Sequence, residues 1–357
     1  MKRFVFFLIM VCSFFYKGYG QGTPLNFFAP NHPFIQYTGR IDYSNPLLPR
    51  FWQPGVYFKT KFLGDSIGII LQDEILWGSN HNYIELVVDG KATRLQLMSA
   101  RDTVRVRGSK KEKIHQLSLY KNTEAGIGYL ELVGILAKKI LQPVAKPTLK
   151  IEFIGNSITC GTGSDESSIP CGKAAWYDQH NAYASYGSIT AQNLNAQFHL
   201  SSVSGIGLMH SCCNLIFTMP EVFNKINLSK GTVLWDFKQY QPDIVSICLG
   251  QNDGIQDSIL FTQHYISFLQ QLRIIYPKAY FVCITSPMAD IILRNFMENT
   301  LTSIVNTMHN QGDLKVKKYF FLKQYHSGCD GHPSLKEHVM IAKELTTYIQ
   351  NNIPLAK

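Results

Sequence analysis

The hydrophobic period of this 357-residue chain changes once, across Gln142-Pro143-Val144-Ala145-Lys146-Pro147, and that change limits it to two differently built halves. Over 26–144 the apolar residues come in short β-branched or alternating runs, such as 67–71, 83–88 and 115–120, with Asp89-Gly90 as a hairpin signal. Short strands separated by turns predict an antiparallel β-sandwich. Beyond the connector, strand-like runs at 149–154, 197–203, 243–249, 280–285 and 317–322 alternate with helical stretches at 183–194, 257–276, 290–310 and 334–349. That alternation predicts a three-layer α/β/α domain on a parallel sheet. The mostly apolar run 243–249 suits a strand buried on both faces. Two nearby prolines stiffen the connector, which places the domains at 21–146 and 147–357.

The first twenty residues read as a targeting segment. Lys2 and Arg3 precede the apolar run 4–15, and Gly18-Tyr19-Gly20 supplies a small-x-small exit before Gln21. The run falls short of the roughly 20 residues a membrane-spanning helix needs, so the expectation is export to a secreted or periplasmic location, without membrane insertion after cleavage. Cleavage removes Lys2, Arg3 and Lys17, which lowers the formal charge from +9 to +6. The remaining basic cluster, Arg105, Arg107, Lys110, Lys111 and Lys113, straddles Gly108-Ser109 between two strand-like runs. A solvated hairpin tip accounts for it. Nucleic-acid binding is not expected, because no aromatic platforms lie among these cations.

Eight cysteines become seven once Cys12 leaves with the leader. An odd number in an oxidising compartment leaves at least one thiol free. Cys248 and Cys283 lie in apolar strand-like runs and suit buried thiols. Cys160 and Cys171 flank a glycine-rich loop, and a disulfide between them would pin it, with Cys212, Cys213 and Cys329 as competing partners. Zinc-type Cys-His spacing is absent, so no structural metal is expected.

Three blocks carry the chemistry. Gly155-Asn156-Ser157-Ile158-Thr159 and Gly250-Gln251-Asn252-Asp253 each follow a strand-like run, and Asp330-Gly331-His332-Pro333 opens a helix. Sites in open α/β sheets form at the carboxyl ends of strands, so one rim can gather a serine, an amide and an imidazole. Ser157 is the candidate nucleophile and His332 the base. Asp330, or a backbone carbonyl, would fix the imidazole tautomer. The Asn252 amide and a backbone N–H near Gly205, in Ser204-Gly205-Ile206-Gly207, are candidate oxyanion donors.

With these residues in place, the chain resembles the SGNH, or GDSL, hydrolase superfamily, whose four blocks match Ser157, Gly205, Asn252 and His332 in order. It is most similar to carbohydrate esterase family 2, acetyl esterases that place a β-sandwich jelly roll before the SGNH domain. Tyr37-Thr38-Gly39-Arg40, Val88-Asp89-Gly90, Gly155-Asn156-Ser157-Ile158-Thr159-Cys160-Gly161 and Trp235-Asp236-Phe237 look like that family's sequences. The resemblance implies a Ser157–His332 pair, with an oxyanion hole from the Ser157 and Gly205 N–H groups and the Asn252 amide. It also implies an aromatic-lined sugar cleft, for which Trp176, Tyr177 and Trp235 are the candidates. Three departures stand out: Asn156 replaces the usual Asp, Gln251 the frequent Thr, and the last block is Asp-x-His rather than Asp-x-x-His.

The expected function is an exported serine esterase that removes acetyl groups from polysaccharides or oligosaccharides of the xylan or glucomannan type, without metal or organic cofactor. The rivals are a lipase- or thioesterase-type hydrolase and a carbohydrate-binding protein on a catalytically dead hydrolase fold. Oligomeric state is open.

Overall fold

The computed structural model describes residues 25–108, 113–229 and 231–354. The expected leader at 1–20 and Lys110 and Lys111 of the basic cluster lie outside these residues. Among the described residues, no helix is long and apolar enough to cross a membrane.

The N-terminal half is all antiparallel. Its strands are β1 Asn26–Phe28, β2 Gln36–Thr38, β3 Arg50–Phe51, β4 Tyr57–Asp73, β5 Tyr83–Val88, β6 Lys91–Gln96, β7 Arg101–Arg107, β8 Ile114–Lys121 and β9 Leu130–Leu141. β4 organises them. Its first part pairs with β8, from Tyr57 opposite Tyr120 to Leu63 opposite Ile114, and its last part with β7, from Ser66 opposite Arg107 to Gln72 opposite Arg101. The register against β9 slips between Leu63 and Ile67, where Gly64 has φ +108°. Glycine tolerates that left-handed conformation, and the bulge bends the long strand. Alternate residues of the strands, including Phe58, Phe62, Ile69, Leu71, Leu119, Leu132 and Ile135, fill the sandwich core. Asp89 (φ 52°) and Gly90 (φ 83°) join β5 to β6 as the two central residues of a tight hairpin.

The C-terminal half is a five-stranded, all-parallel sheet in the order β11-β10-β12-β13-β14. The strands are β10 Lys150–Gly155, β11 Gln197–Ser202, β12 Ile244–Cys248, β13 Tyr280–Ile284 and β14 Val316–Tyr319. Its helices are α1 Ser157–Cys160, α2 Tyr186–Asn193, α3 Met219–Val222, α4 Ser258–Ile275, α5 Ile291–Asn310 and α6 Leu335–Asn352. Side chains alternate between faces along each strand. Ile154, Val245, Ile247, Phe281 and Cys283 therefore meet α4 and α5, while Ile151, Phe153, Ile244, Val282 and Ile284 meet α2 and α6. β10 lies between β11 and β12, so the chain leaves it in one direction and returns on the other. That reversal opens a crevice beyond the carboxyl ends of these three strands.

The two halves share one packed interface. Tyr57 and Tyr120 of the sandwich pack on Phe198 of β11, with ring centroids 5.2 and 6.3 Å from it. Beneath, the fully buried Arg40 pairs with Glu152 of β10 at 2.9 Å and donates to the Phe223 and Lys225 carbonyls. Glu152 also accepts from the Ser201 hydroxyl.

Candidate active site

Ser157 is the first residue of α1, directly after β10. Asn156 caps the turn by accepting the Ile158 N–H at 3.1 Å. Gly155 is required by closeness, since a Cβ there would lie 2.1 Å from the Thr159 hydroxyl. Gly161 (φ 74°) ends the turn in the left-handed conformation. The result exposes one hydroxyl at the floor of a cavity of about 470 Å³.

His332 meets that hydroxyl, although 175 residues separate the two. Its Nε2 lies 2.9 Å from Ser157 Oγ and its Nδ1 lies 3.2 Å from the Cys329 carbonyl oxygen. The carbonyl can only accept, so the ring carries its proton on Nδ1 and presents Nε2 as the acceptor for the serine. Burial holds the imidazole below its ordinary pKa, while the Cys329 carbonyl and the Asp330 charge pull it partly back.

The candidate oxyanion donors share that cavity, which Ser157, Gly205, Asn252 and His332 line together. Gly205 follows β11 with φ +84°, a conformation costly for other residues. Among the described residues no acceptor takes the Ser157 or Gly205 N–H. Asn252 Nδ2 donates to the Ile206 carbonyl at 2.8 Å, which fixes the amide plane, and its second hydrogen has no acceptor among the described residues. Asp253, given no role by the sequence reading, collects the N–H groups of Leu208, Met209 and His210 at 2.6–3.0 Å and shapes the loop beyond Gly205.

Four expectations need correction. The Asp330 carboxylate does not hydrogen-bond the imidazole: Asp330 is exposed in a left-handed turn (φ 51°), and the Cys329 carbonyl takes Nδ1. The disulfide joins Cys171 to Cys329, not to Cys160, which is a buried free thiol 3.2 Å from the Ser202 hydroxyl. Cys160 faces into the fold from α1, whereas the segment holding His332 folds over the loop that carries Cys171. Tyr177 is buried against Tyr83 and Ile127, with its hydroxyl on the Ser79 carbonyl. Trp235 packs with Ile226 and Tyr240. Neither lines the cavity; Trp176 does, half exposed and edge-on to His180 at 4.6 Å. Cys212 and Cys213, adjacent in sequence, are paired with each other, and Cys248 and Cys283 are buried thiols pushed up to about 12 by burial.

Comparison with known proteins decides the family. The family described as Carbohydrate esterase 2 N-terminal matches residues 37–147. A solved family two carbohydrate esterase from Clostridium thermocellum, determined with cellohexaose, is 31% identical, with a TM-score of 0.82 over 89% of this chain and 99% of that one. The chain belongs to carbohydrate esterase family 2. Among curated relatives of this esterase, the Cellulase/esterase CelE of Acetivibrio thermocellus is 31% identical over 90% of the chain, which spans 40% of that longer protein. An acetylxylan esterase / glucomannan deacetylase of Cellvibrio japonicus is 25% identical over 90% of both proteins.

The sandwich of the esterase also reaches the cavity, through the β8–β9 connection. Glu124 and Gly126 line its wall beside Ser204 and Gly205. No motif marks these residues in the sequence. They become visible only when the two halves are docked.

Proposed function

We propose that this chain is a serine esterase that removes O-acetyl groups from plant polysaccharides or oligosaccharides of the xylan or glucomannan type, and that it is exported. The observation that carries the reading is the 2.9 Å approach of His332 Nε2 to Ser157 Oγ in a cavity that the candidate oxyanion donors share.

In the first half-reaction, Ser157 Oγ attacks the acetyl carbonyl carbon as its proton passes to His332 Nε2. The negative oxygen that forms lies against the N–H groups of Ser157 and Gly205 and the Asn252 amide; one such donor is worth about 10²–10³ in rate. The imidazolium is held by the Cys329 carbonyl and, through space, by Asp330. Its proton then goes to the sugar oxygen as the C–O bond breaks. In the second, water gives a proton to His332 and attacks the acyl carbon, Oγ takes the proton back, and acetate leaves. Trp176, half exposed at the mouth, supplies an aromatic face on the acceptor side.

The chemistry is supported by the kinship with carbohydrate esterases, and the substrate class by the named activity of the Cellvibrio japonicus relative. Replacing Ser157 by Ala should abolish hydrolysis of a chromogenic acetate with little change in the thermal midpoint, and the parent should prefer acetate to octanoate esters. Acetate release from acetylated xylan, glucomannan and pectin, compared side by side, identifies the polymer. Turnover retained by S157A would refute the assignment.

A further inference from the structure

We propose that Glu124, carried in by the β-sandwich, is a positioning residue for the oxyanion hole: it holds the Ser204 N–H and thereby sets where the Gly205 N–H points. The inference rests on the esterase reading for its kinetic consequence, but its structural content stands separately.

Glu124 Oε2 accepts the Ser204 N–H at 2.7 Å, one residue before Gly205, and lies 3.6 Å from Cys160 Sγ, whose own neighbour is the Ser202 hydroxyl. The carboxylate thus braces the end of β11 against α1, the helix that Ser157 begins. The Ser204 hydroxyl also lies 2.9 Å from that of Thr162. The Gly205 carbonyl accepts the Cys212 N–H at 2.8 Å. Both sides of the peptide that carries the Gly205 N–H are therefore tied down, and Glu124 is the tie that comes from the other domain.

The segment delivering Glu124 is built to hold still. The amine nitrogen of Lys121, fully buried, donates to the Thr123 and Glu124 carbonyls at 2.7 and 3.1 Å. Asn122 binds Glu85 within the sandwich and takes the Tyr183 N–H of the other half with its side chain and the Ala182 N–H with its carbonyl. Burial pushes the Glu124 carboxyl up, and the Ser204 N–H draws it part of the way back. Its other oxygen, Oε1, is buried and has no hydrogen-bond partner among the described residues. A buried carboxyl with one bare oxygen costs stability that an apolar residue of similar size would not. Stability alone does not account for such a group at the wall of the catalytic cavity; alignment of a donor whose misplacement by about 1 Å can cost roughly 10²-fold in rate does.

The test uses the full chain with E124A and E124Q. In E124A, kcat for a chromogenic acetate should fall about 10- to 100-fold while KM changes less than about threefold. The inhibition constant of a boronic acid that mimics the tetrahedral adduct should rise in step, and E124Q, which keeps an acceptor oxygen, should recover most of the loss. Amide hydrogen exchange should quicken in E124A across 202–206 and stay unchanged in α4, a readout that needs no activity. Failure of the parent to hydrolyse acetate esters would overturn the esterase reading and leave the exchange result to decide the positioning role. Unchanged exchange across 202–206, or a kcat within about threefold of the parent with intact boronate binding, would overturn the inference.

Discussion

Arg40 and Glu124 both cross from the sandwich into the parallel-sheet domain, and they arrive at different places in it. Arg40 ends under the sheet, its guanidinium on Glu152 and two backbone carbonyls and its Cζ 4.5 Å from the Phe223 ring centroid, with Arg40 Nε and Glu152 Oε2 lacking a partner among the described residues. Glu124 ends at the rim, Oε2 on the Ser204 N–H and Oε1 without a partner among the described residues, at the wall of the cavity that Ser157 and His332 line. A buried ion pair is costly to break, because removing one partner strands the other charge away from water. Glu124 differs in its place: it lines the cavity and holds the Ser204 N–H next to Gly205. One interface thus divides into a clamp at its base and a precision part at its rim, and the sandwich belongs to the catalytic unit as well as to the fold.

That division can be broken by experiment. The largest effect on stability is expected at the base: R40A should cost about 3–5 kcal/mol, read from denaturant midpoints, while kcat of the folded enzyme stays within about twofold. A tenfold loss of kcat in R40A would erase the distinction between clamp and rim. The Cys171–Cys329 disulfide occupies an intermediate place, because it closes a long loop and also anchors the residue whose carbonyl orients His332. C171S should cost about 2–4 kcal/mol and lower kcat about three- to tenfold, without change in the pH at which activity is half-lost. An unchanged kcat would show that the 329–332 turn holds the imidazole unaided.

The smallest effect belongs to Asp330. His332 must be neutral to accept the serine proton, so activity is lost as pH falls through its pKa. Burial lowers that pKa, and the acid limb of kcat/KM should therefore lie below the ordinary histidine range. The Asp330 charge raises the pKa, so D330N should move the limb further down while the plateau stays within about threefold. A plateau loss beyond tenfold would make Asp330 the orienting partner after all.

Much of this was legible in the chain. The switch of hydrophobic period separates an antiparallel half from a parallel one, and each predicted strand and helix beyond the connector has its counterpart within about three residues. The blocks at Ser157, Gly205, Asn252 and His332 meet because all follow strand ends or open helices at a single rim. What was hidden has a physical cause in each case. The partner of Cys171 depends on which loop folds over which, and spacing cannot rank competing cysteines. Asp330 looks like a triad acid in sequence, but a left-handed backbone gives the ring to the Cys329 carbonyl. Tyr177 and Trp235 are aromatics that the core claimed first. Glu124 lies in the other half, within a loop whose only signal is a run of polar residues, Lys121-Asn122-Thr123-Glu124, buried without exception.

Ser157, activated by His332, is expected to take the acyl group onto its own oxygen. Rapid acid quench of enzyme turning over a chromogenic acetate, followed by peptide mass spectrometry, tests it directly. One added acetyl group is expected on the peptide containing Ser157, absent in S157A and more abundant at early times than at exhaustion of substrate. An acetylated residue elsewhere that tracks turnover, or full turnover with Ser157 never modified, would contradict it.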